Sequence, residues 1–202
     1  MELLKSFLKS IGTILIVSIV LAIINVITKN ESIAYLATYF IFSLLFICKY
    51  KNAYINGFKS LKKSLNFKNI ISIIFFIFLS FISNFILVNI LNSNASNQEN
   101  ILSFINSSPL LIIPVVLIFA PIVEEVIYRL PYKKNKLSII LSTFIFALSH
   151  ITNISINELF FFISYLFLSI SLSIAYFKDE NIVLSTITHI LNNLISLVLL
   201  FI

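Results

Sequence analysis

The chain has 202 residues, of which 59% are hydrophobic and only 11% are charged. A soluble domain has about 25% charged residues, so this composition excludes an ordinary soluble fold and predicts one membrane-embedded helical bundle. The net charge of +6 does not indicate nucleic-acid binding, because the lysines lie in short segments between apolar runs. The single cysteine, Cys48, excludes a disulfide framework and a thiolate metal site.

Apolar runs long enough to cross a lipid bilayer recur along the chain. A helix rises 1.5 Å per residue, so about 20 apolar residues cross a hydrocarbon core that is ~30 Å thick. The pattern predicts an all-α, polytopic transmembrane bundle of about seven spans, of which the second and fifth are short. The predicted spans are residues 8–28, 33–48, 69–91, 107–130, 137–151, 158–177 and 182–202.

The lysines predict the orientation of these spans, because loops on the cytoplasmic side of a membrane are enriched in Lys and Arg. If the N-terminus is cytoplasmic, Lys29 is the one lysine on the outer side, and the other twelve lie inside. We therefore predict a cytoplasmic N-terminus. The lysines on the inner side are Lys5, Lys9, Lys49, Lys51, Lys59, Lys62, Lys63, Lys68, Lys133, Lys134, Lys136 and Lys178.

Two segments of the N-terminal half connect predicted spans. The segment Lys49–Lys68 mixes apolar and basic residues at helical spacing, which fits either an interfacial helix on anionic lipid or a loop that only sets the topology. The segment Asn92–Asn106 is rich in Asn and Ser and predicts an external loop without chemistry. The first 100 residues have no clustered ionisable groups within a predicted span, so they indicate little about function.

Glu124, Glu125 and Arg129 lie inside the fourth predicted span, where ionisable groups are costly and are candidates for function. At about 100° per residue, Arg129 falls one turn after Glu125 on the same helical face, whereas Glu124 points away from it. Tyr128 shares the face of Glu124, and its hydroxyl could donate to that carboxylate. Pro121 removes one intrahelical hydrogen bond and predicts a kink that opens polar backbone beside these residues.

This geometry divides the roles of the two glutamates. Glu125 and Arg129 are expected to form a structural ion pair that neutralises both side chains. Glu124 has no matching cation, and a carboxylate left free in a low-dielectric interior is suited to general acid or base catalysis near neutral pH. The alternative is that all three residues form a purely structural ion cluster.

Both histidines of the chain fall in the later spans. Phe146 precedes His150 by one turn at the end of the fifth span, and His189 precedes Asn193 by one turn within the seventh. Helical bundles build their sites from side chains on facing helices, so these faces could meet Glu124. Such a group of side chains could activate water and stabilise an oxyanion, or bind a divalent metal that keeps an open position.

The three motifs Glu-Glu-x-x-x-Arg at 124–129, Phe-x-x-x-His at 146–150 and His-x-x-x-Asn at 189–193, in this order, resemble the CPBP family. This family contains the type II CAAX prenyl endopeptidases and the bacteriocin-processing or self-immunity membrane proteins. The resemblance covers roughly residues 107–202. It implies a catalytic helical core in residues 107–202, preceded in residues 1–106 by transmembrane helices with a basic cytoplasmic loop, within one integrated bundle.

The resemblance also implies a role for each motif residue. Glu124 and His150 would activate the attacking water, and His189 and Asn193 would stabilise the oxyanion. In a metal-dependent mechanism, a divalent ion such as Zn²⁺ would be held by Glu124, His150 and His189. The residues that would shape the site around this group are Glu125, Tyr128, Arg129 and Phe146.

Depth along the helices constrains this site. His150 would lie ~20 Å from Lys136 along a straight helix, further than Glu124 lies from the end of its own span. We therefore expect the fifth helix to begin near Pro131 and to project into the cytoplasm. A shared site requires His150 to lie within about 10 Å of Glu124. Polar residues expected outside the site, at span ends or on another helical face, are Glu158, Asp179, Glu180 and Asn192.

The sequence thus predicts a multi-pass intramembrane endopeptidase whose site opens to the cytoplasm and whose partners are membrane lipid and a peptide or C-terminal protein segment. The Ile-, Asn- and Lys-rich composition is typical of an AT-rich bacterial genome. It favours a bacterial cell membrane, and a bacteriocin leader, a peptide pheromone or an immunity role over a prenylated substrate. The alternatives are a non-catalytic immunity or scaffold protein of the same fold and, less favoured, a small ion or proton transporter.

Overall fold

The computed structural model describes residues 2–199, and their regular structure is entirely helical. Residues 200–202, the end of the seventh predicted span, lie outside the described residues. The helices are α1 (Glu2–Thr28), α2 (Glu31–Lys49), α3 (Lys51–Ser64), α4 (Phe67–Leu91), α5 (Ser96–Ser107), α6 (Pro109–Pro114), a π-helical segment (Val115–Phe119), α7 (Ala120–Tyr128), α8 (Lys136–Ser149), α9 (Ile156–Phe177) and α10 (Ile182–Leu199).

Six helical stretches within residues 2–199 are long and apolar enough to cross a membrane: α1, α2, α4, the stretch Pro109–Tyr128, α9 and α10. The polytopic helical bundle is therefore confirmed. The fifth predicted span corresponds to α8, which has only 14 residues. At 1.5 Å per residue, a helix of this length extends ~21 Å, which is less than the thickness of a bilayer core.

Helix α9 lies at the centre of the bundle and packs against α4, α8 and α10. Its buried side carries several serines, which suits a membrane interior, because small residues let helices approach closely and hydroxyls bond across the interface. Ser80 of α4 donates to the Ser164 carbonyl at 2.8 Å, and Thr143 of α8 lies 2.7 Å from the Ser173 hydroxyl. These contacts hold both neighbours against α9.

The basic segment after α2 forms a helix rather than a loop. Helix α3 is attached to the start of α10 through Asn181, whose amide donates to the Gly57 carbonyl and to the Ser60 hydroxyl, both at 3.0 Å. The backbones come so close that a Cβ at Gly57 would lie 2.7 Å from a methyl carbon of Val183. The structure thus agrees with the helical alternative for residues 49–68.

The segment Asn92–Asn106, expected to be a loop, contains most of α5. Its N-terminus is held by Glu158, which is only 3% exposed and accepts a hydrogen bond from the Ser96 amide at 2.7 Å. A carboxylate is stabilising at this end of a helix because it meets unpaired N–H groups. The expectation that Glu158 is solvated was therefore wrong, since it fastens α5 to α9.

The stretch from Pro109 to Tyr128 changes its helical register in the middle. The Ala120 amide donates to the Val115 carbonyl, five residues back, which is the π-helical pattern. In this register the next donor would be Pro121, which has no N–H. The Val116 carbonyl is therefore left without an intrahelical partner. The sequence predicted such a free backbone group near Pro121.

Helix α8 begins at Lys136, where Asn135 caps it by accepting from the Ser138 amide. The expectation that this helix begins near Pro131 was wrong. Residues 129–135 form turns instead, and the Tyr132 amide donates to the Arg129 carbonyl at 3.0 Å. Helix α1 holds this segment, because Ser6 donates to the Pro131 carbonyl at 2.6 Å.

Candidate active site

Glu125 and Arg129 form the centre of a buried polar network. Both are 0% exposed, and Arg129 Nε lies 3.3 Å from Glu125 Oε2, one turn along the helix as expected. Glu125 also accepts from the Ser185 hydroxyl at Oε2 and faces His189 Nδ1 at 3.0 Å through Oε1. Both carboxylate oxygens are therefore occupied by donors from α7 and α10.

The guanidinium of Arg129 joins three helices. Nη1 donates to the Ser142 hydroxyl of α8 at 2.7 Å, and Nη2 donates to the Ser169 hydroxyl of α9 at 3.2 Å. Arg129 also lies over the Phe146 ring, 5.1 Å from its centroid. A buried charge is tolerated when it is paired and its remaining donors are bonded. This network meets both conditions and ties α7, α8, α9 and α10 together.

Glu124 has a different environment. Its Oε2 lies 3.7 Å from His189 Nε2 and 4.0 Å from His150 Nε2, well inside the 10 Å limit for a shared site. The same oxygen is buried and accepts no hydrogen bond from residues 2–199. The structure thus brings together the carboxylate and both histidines, at the end of α8 and in the middle of α10.

Hydrogen-bond partners assign the tautomer of each histidine. A carbonyl oxygen only accepts, so His150 Nδ1, 2.8 Å from the Phe146 carbonyl, carries the hydrogen. His189 Nδ1 likewise donates to the Glu125 carboxylate. In the neutral rings, both Nε2 atoms then present lone pairs toward Glu124. A proton donor such as water, shared among the three groups, fits this arrangement.

His150 reaches Glu124 although it lies at the far end of α8 from Lys136. Ser142 of α8 donates to the Tyr128 carbonyl, which sets α8 level with the end of α7 two turns before His150. The bond from Nδ1 to the Phe146 carbonyl folds the ring back by one turn, in the direction in which helical side chains lean. His150 therefore meets Glu124 without an extension of α8 toward Pro131.

Aromatic rings fix the two imidazoles. Phe146 is fully buried between them, with ring centroids 4.6 Å from His150 and 5.5 Å from His189. Tyr165 covers the other side of His150 at 4.9 Å. Tyr128 packs edge-on against Phe146 at 5.3 Å. The hydrogen bond expected from Tyr128 to Glu124 is not formed at Oε2, so Tyr128 contacts Phe146 instead.

Asn193 connects α10 to the π-helical segment. Its side-chain amide donates to the free Val116 carbonyl at 2.9 Å and keeps a second N–H. Its own oxygen accepts from Asn192 at 3.3 Å. Asn192, expected on another face, is 4% exposed and lines the same cavity as Asn193. The amide pair thus lies beside the site.

The side chains of Glu124, His150 and His189 are of types that bind metal ions. One carboxylate and two imidazoles are ligand types of catalytic zinc, and second-shell acceptors such as the Glu125 carboxylate and the Phe146 carbonyl commonly orient such ligands. Within residues 2–199, no group of three or more His, Cys, Asp or Glu side chains is arranged to hold a metal. The donor chemistry fits a metal, and the side chains would have to move closer together to hold one.

A cavity of about 1120 Å³, which we call the vestibule, reaches Glu124, His150 and His189. It is lined by all of α5 that faces the bundle, by the second half of α4 and by the end of α10. Helices α4 and α10 begin beside Lys68 and Lys178, so the vestibule occupies the half of the bundle away from these lysines. The prediction that the site opens to the cytoplasm stays a prediction.

Residues 106–195, just under half of the chain, match the family model described as Type II CAAX prenyl endopeptidase Rce1-like. The match supports a resemblance of this segment to the CPBP/CAAX protease family. The match includes all three motifs and supports a CAAX-type intramembrane endopeptidase fold for this segment. No curated protein and no solved structure matches the chain.

Several partners of the motif residues carry no signal in the sequence. Ser142, Ser169 and Ser185 complete the Glu125–Arg129 network, but serine is common in this chain and signals nothing by itself. The Val116 carbonyl is a backbone group, and only Pro121 gave a sign of it. Tyr165 lies within the sixth predicted span, and its contact with His150 had no sequence signal.

Proposed function

We propose that the protein is an intramembrane endopeptidase in which Glu124 and His150 activate water. The supporting observation is the buried Oε2 of Glu124, which lies 3.7 and 4.0 Å from the Nε2 atoms of His189 and His150 and has no hydrogen-bond partner within residues 2–199. Both rings are oriented from behind, by a carboxylate and by a carbonyl. An apolar, preorganised site of this kind suits proton transfer.

In the proposed reaction, a water molecule donates one hydrogen bond to Glu124 and the other to His150 Nε2. Glu124 takes a proton as the water oxygen attacks the carbonyl carbon of the scissile peptide bond. The resulting tetrahedral intermediate carries the negative charge on the former carbonyl oxygen. The same proton then passes to the departing amine as the C–N bond breaks, which leaves a free acid and a free amine. Such a base contributes ~10²–10⁴-fold in rate.

Asn193 and His189 are proposed to stabilise the oxyanion. Asn193 has one N–H free of Val116, and the bond to Val116 fixes the direction of that N–H. A protonated His189 donates through Nε2, and its charge is stabilised by the Glu125 carboxylate at Nδ1. Loss of one oxyanion donor in a comparable site costs ~10²–10³ in kcat.

We propose that the substrate is a peptide, or a segment of a membrane-associated protein, and that the enzyme works in the cell membrane of a bacterium. The composition bias supports processing of a bacteriocin leader or a peptide pheromone, or a self-immunity role, over cleavage of prenylated proteins. The six bilayer-length apolar stretches support the membrane location.

The test uses the purified full chain in lipid nanodiscs and a mixture of peptides of random sequence. Mass spectrometry of the products should detect new peptide ends with the wild type. Glu124→Gln should abolish them, because an amide accepts no proton from water. Glu99→Gln, which removes an exposed acid of α5, is the matched control and should cleave like the wild type.

Equal cleavage by Glu124→Gln and the wild type would refute the proposed role of Glu124. A folded wild type that cleaves none of the peptides would count against the endopeptidase proposal and in favour of a binding protein of the same fold.

A further inference from the structure

Helix α3 lies at the end of the bundle at which α4 and α10 begin. It has 14 residues and extends ~21 Å, so it is too short to cross a bilayer. Asn181 caps α10 by accepting from the Leu184 amide, and its own amide donates to the Ser64 hydroxyl of α3 at 3.2 Å. Together with the bonds of Asn181 to Gly57 and Ser60, this contact fixes one face of α3 against the bundle. The opposite, outer face is therefore held in a defined orientation.

The outer face of α3 carries two stripes of exposed residues along the helix. Residues spaced by three or four positions fall on the same side of a helix. The first stripe is apolar in its middle, where Phe58 is 64% exposed and Ile55 is 47% exposed. Large apolar side chains on the free face of a basic amphipathic helix indicate contact with lipid. The first stripe consists of Lys51, Ile55, Phe58 and Lys62, and the second of Asn52, Asn56, Lys59 and Lys63.

Three lysines of this face are clustered within about one turn. Lys59 lies three positions before Lys62 and four before Lys63, so the Cβ atoms of each pair are ~5–6 Å apart. Like charges at this spacing repel each other and destabilise a helix. None of the three forms an ion pair within residues 2–199. The sequence also has no Asp or Glu between Glu31 and Glu99. The cluster therefore suits an anion that the neighbouring chain does not supply.

The helix dipole accounts for only part of this arrangement. Cations in the last turn of a helix complement its dipole, which explains Lys62 and Lys63. The dipole gives no reason for the exposed ring of Phe58 beside them. The nearest acids along α9 and α10 are Asp179 and Glu180, and they form no ion pair with α3 in the described part of the chain. A membrane surface explains both features, because it offers phosphate groups beside acyl chains.

We propose that the outer face of α3 is a binding site for anionic phospholipid. Ile55 and Phe58 enter the acyl-chain layer, and Lys59, Lys62 and Lys63 bind the phosphate of the headgroup. A lysine has a long apolar stem, so Lys62 can lie beside Phe58 and still place its ammonium group among the phosphates. Helix α3 then meets protein, lipid and water on three different sides. The site is separate from Glu124 and does not depend on the proposed protease function.

The test uses the fluorescence of a single tryptophan, because the chain has no tryptophan of its own. Phe58→Trp places the probe on the outer face of α3. The control is Ile86→Trp, at an exposed position of α4 that lies ~28 Å along the helix from Phe67. Each full-length variant is placed in vesicles of equal parts phosphatidylglycerol and phosphatidylcholine, with brominated acyl chains on one lipid at a time. We expect brominated phosphatidylglycerol to quench Phe58→Trp more strongly than brominated phosphatidylcholine, and both lipids to quench Ile86→Trp equally.

Equal quenching of Phe58→Trp by the two lipids would overturn the proposed selectivity for anionic lipid, and so would an equal preference at Ile86→Trp. If Ile86→Trp were quenched and Phe58→Trp were not, water or another protein would cover this face, which would also overturn the proposal. The measurement needs no substrate, so its result is independent of whether the protein cleaves peptides.

The role of the lysines is tested with Lys59→Gln/Lys62→Gln in the Phe58→Trp background. The matched control is Lys5→Gln/Lys136→Gln, which removes two exposed charges from the starts of α1 and α8. Each lysine near an anionic surface strengthens the attraction ~5-fold. The first pair should therefore lose most of the preference for phosphatidylglycerol while the ring stays quenched, and the control should keep the preference. A preference that survives Lys59→Gln/Lys62→Gln, or an equal loss in the control, would overturn the assignment of the phosphate to α3.

Discussion

The polar groups around Glu125 and those around Glu124 are built on adjacent residues and differ in almost every respect. Glu125 is fully buried, and both of its oxygens face donors: Arg129, Ser185 and His189. Glu124 borders the vestibule and has a buried oxygen without a partner in residues 2–199. A rotation of about 100° along one helix separates a saturated network, which stabilises the bundle, from a group that can still bind and react.

The largest difference is expected when each glutamate becomes glutamine. Glu125→Gln leaves Arg129 buried without its counter-charge, and breaking such a pair costs ~3–5 kcal/mol. Glu124→Gln removes no intraprotein hydrogen bond at Oε2 and should leave the stability unchanged. Thermal unfolding of both variants in the same detergent measures the contrast. Equal losses of stability would mean that Glu124 belongs to the structural network.

Asn193→Ala is expected to lower kcat by ~10²–10³ with folding retained, since an oxyanion donor acts mainly in the transition state. Kinetics with any peptide found in the cleavage test measure this loss. Asn192→Ala is the neighbouring control, because Asn192 has no bond to the π-helical segment in the described part of the chain. If Asn192→Ala lowered kcat as much as Asn193→Ala, the oxyanion role would fall to the pair and not to Asn193.

Ser185→Ala should lower the stability of the protein by removing one donor from the network around Glu125 and Arg129. The hydroxyl of Ser185 donates to Glu125 Oε2, and its loss leaves that oxygen with Arg129 alone. A hydrogen bond to a charged group contributes ~1.5–3 kcal/mol to stability. Thermal unfolding measures the loss, and the control is Ser72→Ala, at a half-buried position of α4 where the hydroxyl donates to the Lys68 carbonyl of the same helix. No change in Ser185→Ala would show that the network tolerates the loss of a donor.

Tyr128→Phe is expected to have the smallest effect, because the hydroxyl makes no bond to Glu124 Oε2 and the ring contact with Phe146 is retained. Cleavage rates and thermal stability should both match the wild type. A loss of cleavage with unchanged stability would restore the original expectation that Tyr128 donates to Glu124 during the reaction.

Helical spacing alone predicted much of this arrangement. The four-residue interval from Glu125 to Arg129 predicted their pairing, and the missing N–H of Pro121 predicted exposed backbone, which became the acceptor for Asn193. The same spacing could not predict which serines meet Arg129, because that depends on how α8 and α9 pack.

Composition misled where a polar segment has a buried partner. The Asn- and Ser-rich segment before Pro109 resembled a loop, and Glu158 resembled a solvated residue at a span end. The sequence does not show that the two meet, through the bond from the Ser96 amide to Glu158. The depth of His150 along α8 seemed too great for contact with Glu124 for a similar reason. The ring leans back toward the Phe146 carbonyl, and this side-chain conformation cannot be predicted from the sequence.

Pro121 influences the site because it has no backbone N–H. Any other residue at this position would supply an amide hydrogen to the Val116 oxygen and compete with Asn193 for it. The position of α10 relative to the Glu124 helix, and with it the placement of His189, therefore depends on an imino acid seventy-two positions earlier in the chain than Asn193. Pro121 and Asn193 are therefore complementary, because the side chain of Asn193 donates to the backbone oxygen that Pro121 leaves free.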